Sequence, residues 1–113
     1  MPAHPDRLFA ALADPTRRGL FERLSREGEQ SVGALTARAA VSQPAVSKHL
    51  AVLKRVGLVR DRRVGREALY VANPRALRPL VDWLATYSAF WSERLDRLEE
   101  LLDRMDDGRR KTQ

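Results

Sequence analysis

The sequence predicts a mainly α chain carrying one small β-hairpin, and three features predict it. Two short helical segments meet around Ala40-Val41, and two β-like runs meet around Val64-Gly65. A stripe of large apolar residues then recurs at helical spacing through the last third of the chain. In that order the elements make a winged helix-turn-helix followed by a long C-terminal helix.

Asp6–Leu12 forms a first helix presenting Leu8, Phe9 and Leu12. Asp14 caps a second, Pro15 takes its first position, and Leu20, Phe21 and Leu24 supply its core face. Gly19 weakens that helix by about 1 kcal/mol relative to Ala, which points to close packing against a neighbour. The next helix runs over Ser31–Ala39, with Ser31 as N-cap and Val32, Leu35 and Ala39 on one face. Only Ala40 and Val41 separate it from the following cap, Ser42, so the two helices cross steeply.

Ser42 to Val59 is the most informative stretch. Pro44 sits in the first turn, where a missing N–H costs nothing, and Val46, Leu50 and Leu53 make one apolar stripe. Gly57 supplies the left-handed residue that stops the helix. Away from the stripe stand Gln43, Ser47, Lys48 and His49, side chains of the kind that read base edges or grip phosphates. Ser47 and Lys48 suit either task. Two short β-runs follow within Leu58–Val71, and Gly65 offers the positive φ that a tight hairpin loop wants. Arg60, Arg62, Arg63 and Arg66 crowd near its tip. The pattern predicts helix 43–56 in a DNA major groove and wing 59–71 on the backbone or the adjacent minor groove. The expected contact set is Ser31, Arg38, Ser42, Gln43, Pro44, Ser47, Lys48, His49, Arg62, Arg63 and Arg66.

Asn73-Pro74 starts another helical segment, and one long helix is expected from Arg78 to Asp106. Its stripe runs Leu80, Leu84, Tyr87, Trp91, Leu95, Leu98, Leu102 and Met105. Some 28 residues of helix span about 42 Å, longer than a domain this small covers with its own core. The surplus apolar surface predicts a two-fold dimer through this helix and the first, using Leu8, Phe9, Leu84, Tyr87, Trp91, Leu95, Leu98 and Leu102. Two recognition helices related by a two-fold axis would read an inverted repeat. A single domain is expected over 1–105, with a disordered polar tail over 106–113.

Three motifs in order, Asp14-Pro15-Thr16-Arg17, the run Ser42 to Leu50, and Gly65-Arg66 before Tyr70, resemble the ArsR-type winged-helix repressors of bacteria. The resemblance covers residues 5–105. It implies a homodimeric transcriptional regulator, usually a repressor, binding a palindromic operator near its own promoter. Metal-sensing members carry cysteines near the start of the helix before the recognition helix, or Asp and His ligands on the last helix. Here the first place reads Ser31-Val32-Gly33-Ala34-Leu35, and the last helix has Asp82 and Glu93 but no histidine. Soft-metal, arsenite and dithiol sensing are therefore disfavoured. The segment Trp83–Leu98 resembles a cysteine-free branch, often encoded beside small hydrophobe-binding proteins of the helix-grip type.

Composition agrees. In 113 residues, 21 Lys and Arg against 15 Asp and Glu give a net charge of +6, which favours a polyanionic partner. His4 and His49 are the two histidines and there is no cysteine, so no zinc-ligand spacing arises and no cofactor is expected. No nucleophile stands beside a plausible base and no Gly-rich phosphate loop appears, so the chain reads as no enzyme. No long apolar run or signal-peptide pattern is present, so the expected address is cytoplasmic with no membrane partner. The residues assign no effector. The alternative function is a protein-interaction module that keeps the scaffold and pairs through its long helix without specific DNA binding. The basic wing together with Gln43, Ser47, Lys48 and His49 favours DNA.

Overall fold

The computed structural model describes residues 4–111. Its helices begin where the sequence supplies an acceptor. Helix α1 (Pro5–Ala13) opens on His4, whose ring nitrogen accepts a hydrogen bond from Asp6 N at 3.2 Å. Asp14 Oδ1 accepts from Arg17 N at 3.0 Å at the head of α2 (Pro15–Glu27). After the two-residue strand β1 (Gln30–Ser31), Ser31 Oγ accepts from Ala34 N at 3.0 Å and starts α3 (Val32–Ala37). Ser42 Oγ accepts from Ala45 N at 3.4 Å and starts α4 (Gln43–Arg55). Helix α4 ends as a Schellman motif, with Gly57 at φ 83° and Leu58 N donating to Leu53 O at 2.9 Å.

Strands β2 (Val59–Val64) and β3 (Glu67–Ala72) pair antiparallel from Val59↔Ala72 to Val64↔Glu67. Gly65 takes φ 61° while Arg66 stays at negative φ, the φ pattern of a II′ hairpin turn. Strand β1 adds to the outer edge of β3, giving the order β1-β3-β2. A strand of two residues has no period to read, which is why sequence patterning shows the hairpin and not this third strand. Asn73 then clips the sheet to the helix end, its N donating to Leu58 O at 2.8 Å and its side-chain amide to Gly57 O at 3.0 Å. A 3₁₀ turn (Pro74–Leu77) leads into α5 (Arg78–Lys111).

The core takes side chains from α1 to α4 and from β2: Leu8, Leu24, Leu35, Leu50, Leu53 and Val59 are all almost wholly buried. Each such side chain stabilises the fold by about 1.5–3 kcal/mol relative to exposure. Leu80 is the last residue of the chain in this core. Between it and Val81 the chain divides into two compact units. The physical reason is that α5 beyond Leu80 carries no buried side chain among the described residues. Helix α5 runs on through 106–111, the first part of the polar segment expected as a tail. One glycine, Gly108, costs a long helix only about 1 kcal/mol, and Arg109 near the C-terminal end suits the helix dipole. Residues 112–113 of that expected tail, like residues 1–3, lie outside the described residues.

Two further expectations change. A Cβ on Gly19 would meet nothing within 4 Å, so this glycine marks no close packing. Leu8 is 0% exposed within its own chain, which leaves it no surface for a partner; Phe9, its neighbour, is 42% exposed.

Candidate nucleic-acid interface

Gln43 and Ser47 lie one turn apart in the first turns of α4, both exposed, on one flank of the buried stripe of Val46, Leu50 and Leu53. Across from them stands the wing. Gln43, Ser47, Arg63 and Arg66 line one open cleft of about 350 Å3, together with Ser31 and Gly33. The β2–β3 register fixes the wing side of this cleft, because Arg63 faces Ala68 across the ladder and Arg66 occupies the turn. Arg63 Nη1 donates to Arg66 O at 3.5 Å, a weak brace across the tip. Glu67 also lines the cleft, an acid that sequence reading does not single out. Pro44 and Lys48 are exposed beside these residues on α4.

Two of the expected contact residues make ion pairs within the chain, and a third sits apart from the cleft. Arg62 makes a bidentate pair with Glu29, Nε to Oε2 at 2.8 Å and Nη2 to Oε1 at 2.7 Å. This ties β2 to the segment before β1 and braces the wing at its base. Arg38 Nη1 donates to both oxygens of Glu27, at 2.7 and 2.8 Å. Glu27 also accepts from Gln30 and from Arg23, whose remaining nitrogens cap the carbonyls of Ala34 and Leu35. The network locks α2 to α3. It holds the Glu27 carboxyl at about 2, through the bonds from Arg38, then Gln30, then Arg23. Glu29 is likewise held low by the Arg62 hydrogen bonds. Neither acid has a local sequence signal pairing it with its arginine, since the partners stand 11 and 33 residues apart.

His49 is the third. It lies about 200° around α4 from Ser47, half-buried, on the side that faces α2. Its charge reaches Asp14, whose carboxyl is held below the ordinary carboxylate range first by the Arg17 N–H and then, against burial, by His49 and Arg17. His49 is thus turned away from Gln43 and Ser47. Ser31 and Ser42 serve as helix caps.

On α5, Leu84, Tyr87, Trp91, Leu95, Leu98 and Leu102 are all exposed, between 42% and 54%. Arg94 stacks over Phe90 at 4.1 Å from the ring centre, and Trp83 meets Tyr87 at 4.9 Å between centres. No helix is long and apolar enough to cross a membrane among the described residues.

A family model for a helix-turn-helix domain matches residues 12–62. The chain is 43% identical to the HTH-type transcriptional regulator Rv2034 of Mycobacterium tuberculosis, over 88% of this chain and 89% of that protein. It is 30% identical to the transcriptional repressor SdpR of Bacillus subtilis, over 71% and 88%. Among solved structures, an ArsR-like transcriptional regulator from Rhodococcus matches with TM-score 0.66 at 36% identity, covering 85% of this chain and 90% of that one. The chain belongs to the ArsR-type family of winged-helix transcriptional regulators. Another ArsR-type structure is described as a homodimeric winged helix-turn-helix DNA-binding domain, Mb0332 from Mycobacterium bovis; it matches with TM-score 0.60 at 29% identity, covering 73% and 78%. In this ArsR-type chain α4 is the recognition helix and β2–β3 the wing.

Proposed function

We propose that the chain is a homodimeric repressor that reads an inverted-repeat operator, with α4 in the major groove and the β2–β3 wing against the backbone or adjacent minor groove. The observation that carries this reading is the cleft that brings Gln43 and Ser47 of α4 together with Arg63 and Arg66 of the wing. The amide and hydroxyl suit base edges, and the guanidiniums suit phosphates. Lys48 adds a second cation on the helix side. The net charge of +6 supplies long-range attraction to a polyanion. The exposed stripe on α5 supports a two-fold assembly, and a dimer presents two copies of α4 about one helical turn of DNA apart. A dimer clamped on a promoter blocks its use, which is how such a fold represses. No step of this reading requires catalysis or a bound cofactor.

The test is a fluorescence-anisotropy titration of the chain's own upstream DNA against a scrambled duplex. With roughly 6–10 phosphates contacted by both subunits, affinity falls by about 10³ or more between about 50 and 200 mM salt. Equal affinity for the two duplexes at every salt concentration would refute specific repression.

A further inference from the structure

Between α1, α2 and the last turns of α4 lies an open pocket of about 420 Å3. Four of its lining residues, Ala10, Ala11, Val52 and Val56, are apolar. The other three are Arg7, Arg17 and Arg55, and no carboxylate lines it among the described residues. Arg23, Arg38, Arg62, Arg97 and Arg104 each meet a carboxylate elsewhere in the chain. Arg17 Nε is buried with no hydrogen-bond acceptor, a rare state for a buried donor. Arg7 and Arg17 also stand in the first turns of α1 and α2, where a cation opposes the helix dipole. Helix stability therefore explains neither of them. Arg55, in the last turn of α4, is the one the dipole favours.

We propose that this pocket binds a small organic carboxylate with an apolar body. A guanidinium offers a planar pair of donors that matches a carboxylate, and Arg17 holds such a donor already desolvated. The alanines and valines cover an aliphatic or aromatic tail, and the volume falls in the range of small-molecule sites. Operator phosphate is the wrong occupant by position. Val52 lies nine residues beyond Gln43 on α4, or about 13 Å along the helix axis, at the end away from the reading residues. A carboxylate held there bridges α1 and α2 to the recognition helix. Its influence on operator affinity rests on the repressor reading; its binding does not.

The experiment uses the full chain with methyl-labelled Ala and Val, titrated with octanoate, octanamide and inorganic phosphate. Octanoate is expected to shift the methyls of Ala10, Ala11, Val52 and Val56 saturably, and octanamide to bind at least about tenfold more weakly. Arg55→Gln, on an exposed side chain, and Arg17→Met should each weaken octanoate by about fivefold or more, with the core methyls of Val46 unmoved. Absent shifts, equal binding of the amide, equal binding of phosphate, or wild-type affinity in Arg55→Gln each overturn the proposal. Conversion of the dimer to monomer by Arg55→Gln overturns it too, by assigning the pocket to a second copy of the chain. Operator binding is measured in parallel. Octanoate binding without operator recognition would refute only the repressor reading, and operator recognition without octanoate binding only this one.

Discussion

Lys54 Nζ stands 2.9 Å from Asp61 Oδ1, so one ion pair joins the last turn of the recognition helix to the first half of the wing. The Asp61 hydrogen bond, then its charge, raises the Lys54 pKa above its ordinary value. Asp61 is the acid among Arg60, Arg62 and Arg63, and it is spent on aiming the wing rather than on lowering its charge alone.

Asp61→Asn removes both the tether and a negative charge from a DNA-facing element. Affinity for scrambled duplex is expected to rise while the ratio of operator to scrambled affinity falls. Thermal unfolding should barely move, since an exposed pair contributes little to stability. Parallel titrations at matched salt check this. An unchanged ratio would show that the pair does not set the wing against the helix.

The arginines should separate by partner rather than by position in the sequence. Arg63→Ala and Arg66→Ala weaken all duplexes alike, and each lowers the salt slope by about one for every phosphate its guanidinium neutralises. Arg62→Ala and Arg38→Ala break pairs with Glu29 and Glu27, so they lower the melting temperature more than they change the salt slope. Gln43→Ala costs about 1–3 kcal/mol of discrimination if its amide reads a base, whereas His49→Ala leaves base preference intact. A salt slope that drops as much for Arg62→Ala as for Arg66→Ala would contradict the assignment.

The sequence carries the fold well because its signals are local: Asp14, Ser31 and Ser42 cap, Gly57 stops, Gly65 turns, and Val46-Leu50-Leu53 gives the buried stripe. The candidate site is legible only where one element decides it. Ser47 follows from its polarity and its phase beside the stripe, whereas Gln43 shares the phase of Leu50 to within about 20° and is exposed at the first position of the helix. The offset of His49 is hidden by composition, which groups it with the polar residues of the first turns although its phase is about 200° from Ser47. The ion pairs of Arg38 and Arg62 are not legible in the sequence because the acids that engage them come from other elements. The burial of Leu8 follows from the packing of α1 against α2 in the shared core, and its own helix pattern does not separate core from interface.

Acid should weaken the fold through Glu27 ahead of any histidine. Its folded pKa of about 2 lies below the ordinary 4.5, so the stabilisation is fully present above pH 4.5. That stabilisation is lost as pH falls from there through about 2. Glu29 and Asp14 are shifted in the same direction and add to the same limb. Melting temperatures measured from pH 7 down to pH 2 should therefore fall below pH 4.5, and Glu27→Gln should flatten part of that fall. If the variant keeps the full acid limb, the Glu27 network is not its source.

The exposed stripe on α5 should hold the dimer together before DNA is met. Leu98 stands midway along it, with Trp91 two turns before and Met105 two turns after, all about half exposed within one chain. Surfaces of this size rarely remain uncovered on a free protein. The stripe also contains Arg94, which lies over Phe90 and Trp91, so its aromatic and leucine halves are separated by one stacked cation. Leu98→Glu places a charge in the leucine half without touching the core of residues up to Leu80. Desolvating that unpaired carboxylate costs several kcal/mol, enough to split a micromolar dimer. Sedimentation is expected to show wild-type dimer and variant monomer, with circular dichroism of the two alike. Operator affinity should collapse toward the value for scrambled duplex, because one α4 reads only half of an inverted repeat. A variant that stays dimeric, or a wild-type chain that sediments as monomer at micromolar concentration, would place the two-fold seam somewhere other than α5.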